Sequence, residues 1–262
     1  MGGTEIQIAA EPAPGYTLGH WRGGLSGRAN PATLVVSGDA VVTASFVERA
    51  NVFEEGFETY TTGADPDGWY DTAAQNSMAQ NDSLFQVYET GDGQALGTVS
   101  TLSNIHSHYM DEGSETWSGY RYSGRMMMTA AAGGVGVTFY SRYADQDVYY
   151  RLRRHDSTSF HLAPHPHNAV KLEGDLETGV TPRPEMWHWF LIEVEDTGTR
   201  TEIRAKVWPQ GTDEPEAWQI QARHSGSGRL AEGRIGLWSH SLGSKYWDDI
   251  VVEPIGWPSD DY

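Results

Sequence analysis

Two neighbouring segments in the middle of the chain carry the residues best suited to recognising or transforming a ligand. In Gly136-Val137-Thr138-Phe139-Tyr140-Ser141-Arg142-Tyr143 and in Asp147-Val148-Tyr149-Tyr150-Arg151-Leu152-Arg153-Arg154-His155, apolar and polar residues alternate. A period of two sends successive side chains to opposite faces of a strand. Val137, Phe139, Val148, Tyr150 and Leu152 then face a core, leaving Tyr140, Arg142, Tyr149, Arg151 and Arg153 together on the other side. The next run adds His161 to that side, between inward-facing Phe160 and Leu162. An arginine fork takes a carboxylate or sulfate bidentately, and a tyrosine ring stacks on the apolar face of a sugar. An acidic polysaccharide fits both properties. The competing account is an ordinary solvated sheet whose arginines pair with Asp and Glu of neighbouring strands.

Two polar clusters extend this candidate carbohydrate-binding set. Asn104-Ile105-His106-Ser107-His108 puts Asn104, His106 and His108 on one side of a short run, and Lys245 and Tyr246 precede the last strand. His106-x-His108 and His165-x-His167 lack a third ligand, which argues against zinc. A glycosidase needs two carboxylates on one face; Glu193-Val194-Glu195-Asp196 is the nearest approach and runs into a turn, so hydrolysis is not expected. A β-eliminating polysaccharide lyase needs Arg or Asn to neutralise a uronate carboxylate, and Tyr or His to take the C5 proton and protonate the leaving oxygen. Arg151, Arg153, His106, His161, Tyr149 and Tyr246 offer that inventory. No Ser-His-Asp arrangement, phosphate loop or cofactor fingerprint is present. The leading expectation is a non-catalytic carbohydrate-binding module, with a lyase and a structural or adhesive surface domain as alternatives. The Trp187-to-Trp208 hairpin reads as structural, with Phe190, Ile192, Val194, Ile203, Ala205 and Val207 inward and surface stacking by Trp189 or Trp208 as the lesser alternative.

The elements that must position these residues are strands. Thirty Gly, 12 Pro, 10 Trp and 13 Tyr in 262 residues suit a turn-rich, aromatic-rich β protein. Short alternating runs recur over 33–46, 136–142, 148–154, 189–194, 202–208 and 246–252, each bounded by Gly, Asp, Ser or Pro, the pattern of a sandwich or barrel. The fold class is all-β. Thirty-six acidic residues against 18 Lys plus Arg give a formal charge of −18, which repels phosphate backbones and anionic lipid and argues against nucleic-acid and membrane partners. The absence of cysteine excludes disulfides, thiolate metal sites and Cys nucleophiles. No apolar run approaches the about 20 residues of a membrane span. Met1-Gly2-Gly3-Thr4 is polar and opens no signal peptide; export would put the signal upstream. The expectation is a piece of a larger multidomain chain that is secreted or held at the cell surface.

Ala13-Pro14-Gly15-Tyr16, Gly19-His20-Trp21, Asn30-Pro31 and the closing Val41-Val42-Thr43-Ala44-Ser45-Phe46 have a rhythm of their own. This segment resembles one unit of the divergent internalin-B-type repeat of bacterial surface proteins, over 4–47 within a first domain of 1–50. The family's usual opening strand is missing, and the reading predicts three strands around Tyr16, Trp21, Leu34, Val36, Val42 and Phe46. The resemblance implies a spacer or stalk. Residues 51–254 open on Phe53-Glu54-Glu55-Gly56-Phe57-Glu58 and end on Tyr246-Trp247-Asp248-Asp249-Ile250-Val251-Val252, before a tail at 255–262. These bookends resemble the concanavalin-like lectin/glucanase, laminin-G-like jelly rolls of bacterial carbohydrate-active proteins. The resemblance implies a two-sheet antiparallel β-sandwich with its glycan cleft on the concave sheet. It also implies that the first and last strands pair, bringing Glu55, Glu58, Asp248 and Asp249 together as oxygen ligands for a structural Ca²⁺. The alternative is that Asp248 and Asp249 cap backbone amides and face solvent. The alginate-lyase strands are not reproduced: Arg151-Leu152-Arg153-Arg154 lacks a Glu between arginines, and Asn104-Ile105-His106 only echoes a Gln-Ile-His strand.

Overall fold

The computed structural model describes residues 3–12, 16–26, 30–48, 53–72, 78, 80–155, 159–166 and 171–255. The chain divides into two compact units, residues 1–53 with 252–262, and residues 54–251.

The first unit contains strands β1 (Thr4–Ile8), β2 (Tyr16–Gly23), β3 (Ala32–Val36) and β4 (Val42–Glu48). β1 pairs antiparallel with β3, and β2 with β4. Trp21, Leu25, Ala32 and Leu34 form its core, with Ile8, Leu18, Val36, Val42 and Ala44 packed against them. Two expectations are corrected. The opening strand is present, because Thr4–Ile8 finds a partner in β3. Phe46 is 41% exposed, since so small a core ends before it reaches that position. The side chain of Tyr16 lies outside the described residues.

The remaining strands are β5 (Phe53–Glu55), β6 (Trp69–Thr72), β7 (Gln86–Thr90), β8 (Gly93–Thr98), β9 (Ile105–Tyr109), β10 (Tyr120–Met128), β11 (Gly134–Ser141), β12 (Tyr149–Arg154), β13 (His161–His165), β14 (Glu173–Asp175), β15 (His188–Asp196), β16 (Thr201–Pro209), β17 (Ile220–His224), β18 (Arg234–His240) and β19 (Lys245–Pro254). A nine-stranded sheet runs β14-β17-β16-β15-β10-β19-β8-β7, with β5 also on β19; a six-stranded sheet runs β13-β12-β11-β18-β9-β6. The sheets pack as an antiparallel β-sandwich of jelly-roll type. Val137, Phe139, Tyr150, Leu152, Leu162 and Leu237 point inward from the six-stranded sheet, and Tyr122, Phe190, Ile192, Val194, Ile203 and Trp247 from the other; all are buried. Each such burial contributes roughly 1.5–3 kcal/mol. Hydrogen bonds tie the two sheets together: among them Trp247 Nε1 donates to Gly136 O at 3.0 Å, and Tyr122 Oη to Gly236 O at 3.4 Å. No helix among the described residues is long and apolar enough to cross a membrane.

Since paired residues share a face, the six-stranded sheet turns two rows away from the core. One row is Thr72, His106, Trp238, Gly136, Arg153 and His161; the next is Tyr70, His108, Gly236, Thr138, Arg151 and Ala163. Glycines keep the centre of this face low. A Cβ on Gly134 would lie 3.0 Å from the Trp238 ring, and one on Gly136 2.6 Å from Arg153 Cβ.

Candidate functional site

Six of the predicted residues meet on this outer face: His106 and His108 from β9, Tyr149, Arg151 and Arg153 from β12, and His161 from β13. Trp238 lies among them as a floor, with the Arg151 and Arg153 guanidinium carbons 5.3 and 5.1 Å from its ring centre. Trp238 Nε1 donates to Asn104 Oδ1 at 2.8 Å, and Arg151 Nη1 reaches the same oxygen at 3.4 Å. Arg151 also lies 5.6 Å from the centre of the Tyr149 ring. Its side chain is only 4% exposed, its Nε has no hydrogen-bond partner, and among the described residues it pairs with no carboxylate. Burial holds its pKa below the ordinary arginine value, partly offset by Tyr149 and Asp147. A buried cation is stable only where something answers its charge.

Beside Arg151 the face is covered. The β11–β12 connection folds Tyr143 over β9, where its ring stacks on His108 at 4.4 Å and tilts against His106 at 5.3 Å. Beneath it, Tyr149 Oη and His106 Nε2 are 2.9 Å apart, and His106 Nδ1 is 3.3 Å from Thr72 Oγ1. His165 stacks on Tyr149 at 4.8 Å and reaches Asp147 Oδ2 at 3.2 Å. Burial drives His106 well below the usual histidine range, helped by the charges of His108 and Arg151, and drives His108 to about 3. Both imidazoles are therefore neutral at physiological pH. Burial raises the Tyr149 hydroxyl above its usual value, so it keeps its proton. His161, at the rim, is lowered by burial, against a bond to the Ser159 carbonyl.

Four predicted binding residues lie elsewhere. Tyr140 was expected beside Thr138, but the β11–β18 register shifts between Thr138 and Ser141. With φ at 46°, Tyr140 turns into the core, where its hydroxyl accepts from Gly119 N at 2.9 Å and donates to Val194 O at 3.3 Å. Arg142, half-exposed at the sheet end, pairs with Glu232 at 3.5 Å. Lys245 is fully buried, held by Ser241 O at 2.5 Å and lowered to about 8 by desolvation. Tyr246 belongs to the nine-stranded sheet, edge-on to Tyr88 at 5.8 Å.

The four acidic residues expected to hold calcium have other partners. Glu55 accepts from Phe57 N at 2.7 Å, and Glu58 from Gln94 N at 3.1 Å. Asp248 and Asp249 hold the Arg125 guanidinium at 2.6 and 2.9 Å, so an arginine supplies the cation there. Among the described residues no group of three or more His, Asp or Glu could hold a metal ion, and these four do not fit a Ca²⁺ shell.

The first fifty residues have their own relatives. Residues 1–50 match the divergent InlB B-repeat domain. No curated protein matches the sequence. Among solved structures, the chain is similar to the catalytic domain of a glycoside hydrolase family 131 protein from Coprinopsis cinerea, at 8% identity and TM-score 0.47, covering 79% of this chain and 95% of that one. The β-glucanase of Bacillus licheniformis is 12% identical at TM-score 0.46, covering 79% and 99%. A seed lectin of Lotus tetragonolobus is 9% identical at TM-score 0.41, covering 77% and 96%. Residues 1–50 are thus similar to the InlB B-repeat domain, and the site of the sandwich must be argued from its own residues.

Sequence reasoning missed Tyr143, Trp238 and Asp147 as members of the site. Trp238 could have been found, since Ile235 and Leu237 alternate with Gly236 and Trp238 in a strand that must pair somewhere. Nothing in the sequence signals that the 142–148 connection folds back over β9.

Proposed function

We propose that the sandwich binds an acidic polysaccharide on the outer face of the six-stranded sheet. Arg151 receives a carboxylate or sulfate, Arg153 and His161 flank it, and Trp238 lies beneath. The observation that carries this reading is Arg151 itself: a nearly inaccessible guanidinium with an unused Nε donor and no carboxylate partner among the described residues. The account in which every arginine pairs with a neighbouring acid suits Arg142, which has Glu232, and fails for Arg151. The InlB-type repeat at 1–50 supports a spacer role in a larger chain that is secreted or at the cell surface.

The test is calorimetric titration with hexasaccharides of uronic acid and with sulfated hexasaccharides. The expected outcome is binding of one acidic class, lost at least tenfold in Arg151→Ala and partly kept in Arg151→Lys, which retains the charge without the fork. Equal binding by Arg151→Ala, or none by the wild type, would sink the reading.

A second reading rests on the Tyr149–His106 contact at 2.9 Å next to Arg151 and Asn104. A neutral imidazole and a protonated phenol are the two states that β-elimination requires of a base and an acid: one takes the C5 proton of a uronate, the other protonates O4 as the C4–O4 bond breaks. Tyr143 covers this pair. Long incubation of the protein with polyuronate decides between the readings. Unsaturated chain ends would establish a lyase, and their absence with retained binding a non-catalytic module.

A further inference from the structure

The outer face of the nine-stranded sheet carries a second set of aromatic and polar side chains, in a row across the strands with Tyr246 one cross-strand pair out of line with Tyr88. In β19, Trp247 points into the core, so Tyr246 and Asp248 point out. Tyr246 packs edge-on against Tyr88 of β7 at 5.8 Å. Asp248 meets Arg125 of β10, Arg125 is directly opposite Trp189 of β15, and Trp189 is directly opposite Trp208 of β16. The row thus passes from Tyr88 and Tyr246 through Asp248 and Arg125 to Trp189 and Trp208. It crosses five strand-to-strand steps, about 24 Å at the usual spacing.

Its chemistry differs from that of the other face. The four aromatic rings at its ends are half-buried, each held by the sheet while keeping part of its surface open. Among the described residues the indole N–H groups of Trp189 and Trp208 donate to no protein atom. The centre is rigid. Arg125 is buried, 4.7 and 5.8 Å from the Trp187 and Trp189 ring centres, and held by Asp248 at 2.6 Å, Asp249 at 2.9 Å and Asp92 at 3.5 Å. Asp92, Asp249 and Gln210 are exposed, and offer carboxylate and amide oxygens to hydroxyl groups. One guanidinium against three carboxylates leaves the row locally negative, so it repels uronate and sulfate.

We propose that this row is a second carbohydrate site, specific for an extended neutral glycan whose apolar ring faces lie on Trp189, Trp208, Tyr246 and Tyr88. Stacking on rigid aromatic surfaces and hydroxyl bonds to Asp92, Asp249, Gln210 and the indole N–H groups supply the contacts. The site is independent of the arginine face, which takes acidic chains.

The experiment is calorimetric titration of the whole chain with neutral hexasaccharides of β-linked glucose, mannose, xylose and galactose. At least one is expected to bind, with a loss of tenfold or more in Trp208→Ala and in Trp189→Ala and most of the affinity kept in Trp208→Tyr. Binding by none of the four at millimolar concentration overturns the proposal, as does unchanged affinity in both alanine variants. Should the alanine variants not fold, the indole N–H resonances of the wild type give the answer. Those of Trp189 and Trp208 are expected to shift on titration, and a binding saccharide that leaves both unmoved places its site elsewhere.

Discussion

At the scale of single residues, the role proposed for Arg151 sets ligand binding against stability. A cation buried without a charged partner destabilises the free protein, and the proposed anionic ligand would supply what is missing. Arg151→Met keeps an unbranched apolar stem while removing the charged guanidinium. It is expected to raise the stability of the unliganded protein by about 1 kcal/mol or more, seen as a higher Tm, while abolishing acidic-glycan binding. A lower Tm would mean that the guanidinium is already satisfied. His108 gives the complementary prediction. Its folded pKa is about 3 against an ordinary 6.5, because burial disfavours the imidazolium. Below pH 6.5 the unfolded chain takes up a proton that the folded chain refuses, so stability falls as pH falls through that window. Between pH 6.5 and 5 this amounts to about 2 kcal/mol. Asp71, raised to about 7, and Asp248, raised to about 6, act in the opposite sense over the same range. The clean readout is therefore the difference between wild type and His108→Gln, whose loss of stability on acidification should be smaller by about that amount.

At the scale of elements, strand irregularities decide which side chains share a face. Asp248 and Asp249 are consecutive and would point to opposite faces of a regular strand. Asp249 instead has φ at 52°, the next residue Ile250 is fully buried, and both carboxylates reach Arg125. Arg125→Ala leaves Asp248, almost wholly buried, without its cation, at an expected cost of about 3–5 kcal/mol in denaturant unfolding at pH 7. The deficit should shrink near pH 5, where Asp248 takes a proton, and in the double variant Arg125→Met with Asp248→Asn. A deficit that stays constant with pH would assign the loss to packing against Trp187. The same kind of irregularity marks how far the sequence could be read. Alternation identified the inward residues Val137, Phe139, Tyr150, Leu152, Phe190, Ile192 and Val194, because regular strands obey period two. It misassigned Tyr140, because the β11 irregularity turns that one residue around. Alternation also set Tyr149 and Arg151 on the outer face but could not tell that they are buried there. Their cover, Tyr143, comes from a connection whose path depends on the aromatic and imidazole rings it meets, and no periodicity encodes that.

At the scale of the whole molecule, a charge of −18 surrounds the proposed binding face with its two arginines, and the two fields act over different distances. The net charge acts over the Debye length, about 30 Å at 0.01 M salt and about 8 Å at 0.15 M, whereas the arginine contacts act at hydrogen-bond range. Adding salt to a dilute buffer therefore screens long-range repulsion of a polyanion first and leaves the local attraction largely in place. Association of the protein with a long polyuronate is expected to quicken between 0.01 and 0.1 M salt, the reverse of what a cationic binder does. Above that range the arginine contacts weaken in turn and affinity should decline. Stopped-flow association rates across the series measure this directly. A neutral glycan on the tryptophan row has no net charge for the field to act on, so its association rate should be flat over the same range. A monotonic fall of the polyuronate rate from the lowest salt upward would mean that the approach is governed by a local positive field stronger than the overall charge. Arg151 and Arg153 would then have to dominate well beyond the sheet that holds them.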